Sequence, residues 1–130
     1  DFPGGQSLTV FPPLQSAGGT NELGLCVLAS AGDFDVLVPG DMSGQGEARL
    51  LAHTQLPKIE VLVAGHHGSA TSTTQPLLDE IQPETAIISV GKNNRYGHPA
   101  QETLERLALA GTNIYRTDLQ GTVTVRSGAD

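Results

Sequence analysis

The chain is expected to fold as a layered α/β domain, and three observations carry that expectation. Apolar runs at 35–38, 61–64 and 86–90 have the length and composition of buried strands. Each run stops at a polar loop. After each loop comes a stretch with helical apolar spacing, so the order along the chain is β-ββ-α-β-α-β-α-ββ.

The elements follow from local chemistry. Ser7 to Phe11 alternates and meets Pro12-Pro13, which suits an edge strand with a rigid stop. Gln15 to Asn21 is rich in Gly, Ser and Thr and forms a loop. Leu23 to Ser30 and Asp35 to Val38 flank Ala31-Gly32-Asp33, a tight turn, and form a hairpin. Ser43 or Gly44 opens a helix through about His53, with Ala48, Leu50 and Leu51 inward, and Leu56-Pro57 ends it. Ser72 to Thr74 offer caps for a second helix, with Pro76 in its first turn, Leu77, Leu78 and Ile81 on its apolar face, and Pro83 after it. A third helix starts at Pro99, presents Ala100, Leu104, Leu107 and Ala108 on one face, and stops at Gly111. Asn113 to Arg116 and Thr122 to Arg126 are predicted as a terminal strand pair.

The 130 residues suffice for one domain with a real core. With few aromatics and 16 glycines, that core must come from Val, Leu, Ile and Ala. The single cysteine, Cys26, lies in an apolar run, which excludes a disulfide framework and a thiolate zinc site and leaves a small buried hydrophobe. No run approaches the roughly 20 apolar residues of a membrane span, and no signal peptide is visible. The chain opens on Asp1-Phe2-Pro3 without an initiator Met, so it is expected to be a piece of something longer. Its net charge of −7 argues against a basic nucleic-acid surface. An acidic site that holds phosphates through metal ions stays open, because its positive potential appears only when loaded.

The chemistry concentrates where the apolar strands end. Asp41 follows the first, His66 and His67 follow the second, and the run from Lys92 to His98 follows the third. Open α/β sheets place ligand sites at such strand ends. One carboxylate with two imidazoles makes half of a metal site suited to zinc or manganese. A turn aspartate and water-facing histidines are the plainer reading of the same residues. Lys92, Asn93, Asn94 and Arg95 are groups that grip phosphate oxygens, and Tyr96 can stack on a base or sugar; a solvated loop is the alternative. Ser69 and the hydroxyls from Thr71 to Thr74 offer either an anion seat or helix caps. His98 can protonate a leaving oxygen, or it caps or anchors the loop ahead of Pro99. His53, on a helix, reads as a surface or capping histidine.

Val38-Pro39-Gly40-Asp41, Val63-Ala64-Gly65-His66-His67-Gly68-Ser69 and Ile87 through Pro99 follow one another as in the metallo-β-lactamase superfamily. More narrowly, they resemble the carboxy-terminal hydrolase-like domain of ComEC-type DNA-uptake (competence) proteins. Asn21-Glu22-Leu23, Leu104 to Leu107, Gly111 and Tyr115 to Gly121 continue the match, so the resemblance covers nearly the whole chain. Its most specific part is Ser89-Val90-Gly91-Lys92-Asn93-Asn94-Arg95-Tyr96-Gly97-His98-Pro99.

The resemblance implies an αββα sandwich of which this chain is the second half, a mixed sheet with helices on one face. It implies that Asp41 bridges two metals and that a histidine of the His-His-Gly turn binds one of them. His67 is assigned to metal and His66 to substrate phosphate. The family's HxHxDH motif is absent, and Asn21 stands near where many relatives carry another His. With two nameable ligands, the chain alone is expected to bind zinc or manganese weakly. The implied activity is divalent-metal-dependent phosphodiester hydrolysis of DNA during uptake. The implied partners are DNA and the membrane-channel portion of the same polypeptide, on the extracytoplasmic side of a bacterial membrane, with no small-molecule cofactor. Two alternatives remain: a non-catalytic DNA-guiding or assembly module, and a hydrolase of phosphorylcholine or other small phosphoesters.

Overall fold

The computed structural model describes residues 6–11, 26–40, 42–91 and 97–125. Six strands form one mixed sheet in sequence order: β1 (Gln6–Phe11), β2 (Cys26–Ala31), β3 (Phe34–Val38), β4 (Val61–Val63), β5 (Thr85–Ile88) and β6 (Asn113–Arg116). The first three pair antiparallel, and β3 through β6 run parallel. Helices fill the parallel crossovers: α1 (Gly44–His53), α2 (Gln75–Ile81) and α3 (Gln101–Leu109). A short α4 (Thr117–Gln120) follows β6.

The register explains why the sheet has an inner face. Leu28, Leu37, Leu62, Ala86 and Ile114 are successive cross-strand partners from β2 to β6, a single apolar row. That row packs with Leu50 of α1, Leu77, Leu78 and Ile81 of α2 and Leu107 of α3, so the three helices share one face of the sheet. Cys26 belongs to this core, and burial, helped by the negative charge of Glu47, pushes its thiol up to about 12. The opposite row, Leu8, Ala29, Val36, Val61 and Thr85, faces away from the helices. On that outer face Leu8 is 49 % and Val10 47 % exposed.

The mixed α/β architecture and its three crossover helices match the expectation from sequence. Four details differ. Thr122–Val125 forms no strand; α4 turns the chain off β6, and Val123, Thr124 and Val125 lie beside Phe34, Val61 and Thr85, lining a groove of ≈ 490 Å³ on the outer face. Arg126 lies outside the described residues. In α1, Ala48 is exposed and Glu47 is buried instead, because Glu47 bonds to the chain ahead of α2. In α3, Ala108 is exposed while Thr103 and Leu107 point inward. That helix begins at Gln101 rather than Pro99, with Ala100 at its N-cap, so His98 is not the cap.

Candidate functional site

The parallel strands β3, β4 and β5 bring their carboxyl ends to one edge. The chain leaving β3 and the turn after β4 are joined there: the His66 amide donates to the Gly40 carbonyl at 2.7 Å. On the other side the Ala64 amide donates to Ile87 O at 2.8 Å, which ties the same turn to β5. The convergence expected from three apolar runs ending in polar loops is therefore present among the described residues. Asp41 itself, one residue beyond Gly40, lies outside them. So do Lys92, Asn93, Asn94, Arg95 and Tyr96, and Asn21.

The histidine turn is strained. Gly65–Gly68 is a 3₁₀ turn in which His66 (φ 49°, ψ 45°) and His67 (φ 54°, ψ 31°) both adopt the left-handed conformation. For residues bearing a Cβ this costs on the order of 1–2 kcal/mol each. Such strain persists only where surrounding structure over-determines it, and it concentrates at functional sites. The geometry presses two adjacent imidazoles toward β5 and the loop after it. The ring centroids of His66 and His98 are 5.7 Å apart, edge to face, and those of His66 and His67 are 6.5 Å apart.

His98 reaches this cluster because of Gly68. Gly68 has φ +80°, and a Cβ there would stand 2.7 Å from the Pro99 Cβ. Bare backbone lets Pro99 pack directly on the turn, and the Ala100 amide donates to Gly68 O at 2.8 Å. Desolvation, then the nearby His66 and His67, hold His98 below the ordinary imidazole range.

The ring of His67 is oriented. Its Nδ1 lies 2.7 Å from the Ser89 carbonyl oxygen at the end of β5. A carbonyl only accepts, so the neutral ring carries its proton on Nδ1 and its lone pair on Nε2. A histidine whose second nitrogen donates to a carbonyl is the usual arrangement of a metal ligand. His66 differs: its Nδ1 is buried with no hydrogen-bond partner among the described residues. An imidazole nitrogen is a donor type that a borderline divalent cation accepts, so the chemistry of His67 fits such an ion; Asp41, the carboxylate paired with it from sequence, lies outside the described residues. Among the described residues there is no group of three or more His, Cys, Asp or Glu side chains placed to hold an ion.

Ser69 is 7 % exposed, and its hydroxyl is engaged within the turn, 3.0 Å from Thr71 Oγ1 and 3.3 Å from the Thr71 amide. His53 is exposed at the end of α1.

Four supporting groups escaped the sequence reading. Glu47, fully buried, accepts from the Thr73 amide (2.6 Å), the Thr74 amide (2.9 Å) and Thr74 Oγ1 (2.8 Å). Arg106 donates to the carbonyls of Thr73, Ala70 and Ser72. Thr103 Oγ1 donates to Ser69 O at 2.9 Å. Together they brace the 69–74 loop that follows the histidines. Thr117, the fourth, bonds to Val90 beside Ser89. Glu47 was detectable as a lone carboxylate three residues before Leu50, on the inward face of an amphipathic helix. No local signal marks the others.

No protein-family model matches the chain. Curated proteins do. The chain is 39 % identical over 106 residues to ComE operon protein 3 of Bacillus subtilis, covering 82 % of this chain and 14 % of that protein. It is 38 % identical over 105 residues to Recombination protein 2 of Haemophilus influenzae, covering 81 % and 13 %. Against competence protein ComA of Neisseria gonorrhoeae the figures are 40 % over 98 residues, 74 % and 14 %. The chain thus spans about one seventh of the length of these relatives. With similarity of that strength across most of its length, the chain belongs to the ComEC-type competence protein family, as the counterpart of one segment of those proteins.

Proposed function

We propose that this chain is part of a divalent-metal-dependent phosphodiesterase domain acting on DNA during uptake. The observation that carries the reading is the strained turn that sets His66 and His67 beside His98, with the His67 ring oriented by Ser89. The biological setting comes from the relatives, one of them named a competence protein and another a recombination protein. In the complete protein His67 and Asp41 would hold metal. A divalent ion at such a site polarises a phosphoryl oxygen and activates water. In this reading His66 contacts a phosphate oxygen, and the residues from Lys92 to Tyr96 grip the strand. His98, held below the ordinary imidazole range by desolvation and by its histidine neighbours, would pass a proton to a leaving oxygen only after taking one up.

The same reading makes this chain half of a sandwich, its outer sheet face covered by the preceding part of a cell-envelope protein. No helix among the described residues is long and apolar enough to cross a membrane, so a membrane-channel portion would lie elsewhere in the polypeptide. A second reading is a DNA-guiding module that keeps the fold without catalysis.

Cleavage of DNA by the complete protein separates them. At saturating zinc or manganese and fixed salt, Asp41→Ala is expected to remove about a thousandfold or more of the rate. Lys92→Ala should weaken DNA binding by about 1–3 kcal/mol and flatten its salt dependence. Near-parental cleavage by a folded Asp41→Ala protein would overturn the metal mechanism built on Asp41.

A further inference from the structure

We propose that Thr117 is a positioning residue for the histidine site: its hydroxyl pins Val90 and so holds the Ser89 carbonyl that orients His67. The functional part of this inference rests on the proposed metal role of His67; the structural part does not.

The β5–β6 ladder ends at Ile88 and Arg116. One residue further, the Thr117 side chain takes over as a ladder partner. Its Oγ1 accepts from the Val90 amide at 2.8 Å and donates to the Val90 carbonyl at 2.9 Å. A hydroxyl has one proton, so the 3.5 Å approach to Ile88 O is the lesser contact. Both bonds go to Val90. The residue before it, Ser89, is exposed, and its carbonyl receives the His67 Nδ1 proton at 2.7 Å. The peptide between Ser89 and Val90 is thereby held from one side by Thr117 and read from the other by His67.

α4 has the form of a mount for this hydroxyl. It buries no residue, so core packing does not account for it. What fixes it is local polar bonding: Arg116 with Asp118 at 2.7 Å, the Arg116 amide with Gln120 Oε1 at 2.7 Å, and the Gly121 amide with Thr117 O at 3.0 Å. These bonds aim Thr117 at β5. They also account for why the chain leaves the sheet here instead of continuing β6.

Thr117→Val keeps the shape and deletes the hydroxyl; Thr117→Ser keeps the hydroxyl and deletes the methyl. Nitrogen NMR of histidine-labelled chain at pH about 8, above the ordinary imidazole pKa of about 6.5, reads the tautomer of His67. The parent and Thr117→Ser should show the proton on Nδ1. Thr117→Val should lose that signature and populate the Nε2–H form. In the complete protein, zinc affinity should fall about 10- to 100-fold in Thr117→Val and recover in Thr117→Ser. A Thr117→Val chain with the parental tautomer, or a Thr117→Ser chain that behaves like Thr117→Val, overturns the proposal. Asp118→Asn, which loosens the mount but leaves the hydroxyl, gives a second route should Thr117→Val not fold: a partial tautomer shift supports the role, and an unchanged tautomer overturns it. Because the spectrum needs no metal, a tautomer change in a chain whose complete protein does not cleave DNA supports the positioning role while defeating the hydrolase reading.

Discussion

A fully buried carboxylate, Glu47, stands between α1 and the start of α2 and satisfies two backbone amides that would otherwise be orphaned. Truncating it strands those donors in the interior, so Glu47→Ala should cost about 2–3 kcal/mol in a denaturant titration. The pH dependence has a definite sign. Desolvation raises its pKa above 4.5 despite the opposing bonds from Thr74 and Thr73. The folded state therefore binds more protons than the unfolded state, and this contribution is fully present below 4.5 and lost as pH rises through the raised value. Subtracting Glu47→Gln stability from parental stability at successive pH values isolates the effect. The difference should move against the parent as pH climbs out of that window; a pH-independent difference would refute the assignment. The brace matters for the site because the loop it holds follows directly from His66 and His67.

At the scale of elements, the site is an intersection of three strand ends, and each junction depends on one close approach. The most exacting is Gly68 against Pro99. Gly68→Ala adds a methyl at 2.7 Å from a proline ring and places it on a residue with φ +80°. Between strain and overpacking, about 1–3 kcal/mol of stability should be lost. A surface glycine with similar φ but open space around it, Gly111, provides the control, since Gly111→Ala carries only the conformational part. The ring resonances of His98 should shift in Gly68→Ala and stay in place in Gly111→Ala. Equal shifts in both, or none in either, would show that this contact does not set the position of His98.

At the scale of the molecule, one face of the sheet carries the helices and the other carries Leu8, Val10, Val36 and Val61, crossed by Val123 to Val125. Apolar surface on an edge strand invites association. The isolated chain should sediment with concentration-dependent self-association and bind hydrophobic dye. Leu8→Lys with Val10→Lys should suppress both and leave the unfolding free energy from denaturant titration within about 0.5 kcal/mol, since both side chains are half exposed. A monodisperse, dye-free parental chain at every concentration would show that this face needs no cover.

What the amino-acid order determined by itself is local and periodic. Leu77, Leu78 and Ile81 mark the inner face of α2, and Pro76 and Pro83 its limits, because helical spacing and proline chemistry act over a few residues. The parallel crossovers followed from alternating strand and helix patterns. The convergence of His66, His67 and His98 on one edge could be anticipated, since parallel strands joined by helices must end on the same side. Three things waited for the tertiary structure. Which way α1 turns was decided by Glu47 reaching amides 26 and 27 residues away, a contact with no periodic signature. The fate of the chain after β6 was decided by the bonds of Arg116 with Asp118 and Gln120, which turn it into α4 where the sequence suggested a returning strand at Thr122 to Arg126. The tautomer of His67 was decided by a carbonyl 22 residues on, and a backbone oxygen is the same in every residue. Hydrogen bonds between segments remote in sequence leave no spacing to read, and in this chain they are what orients the site.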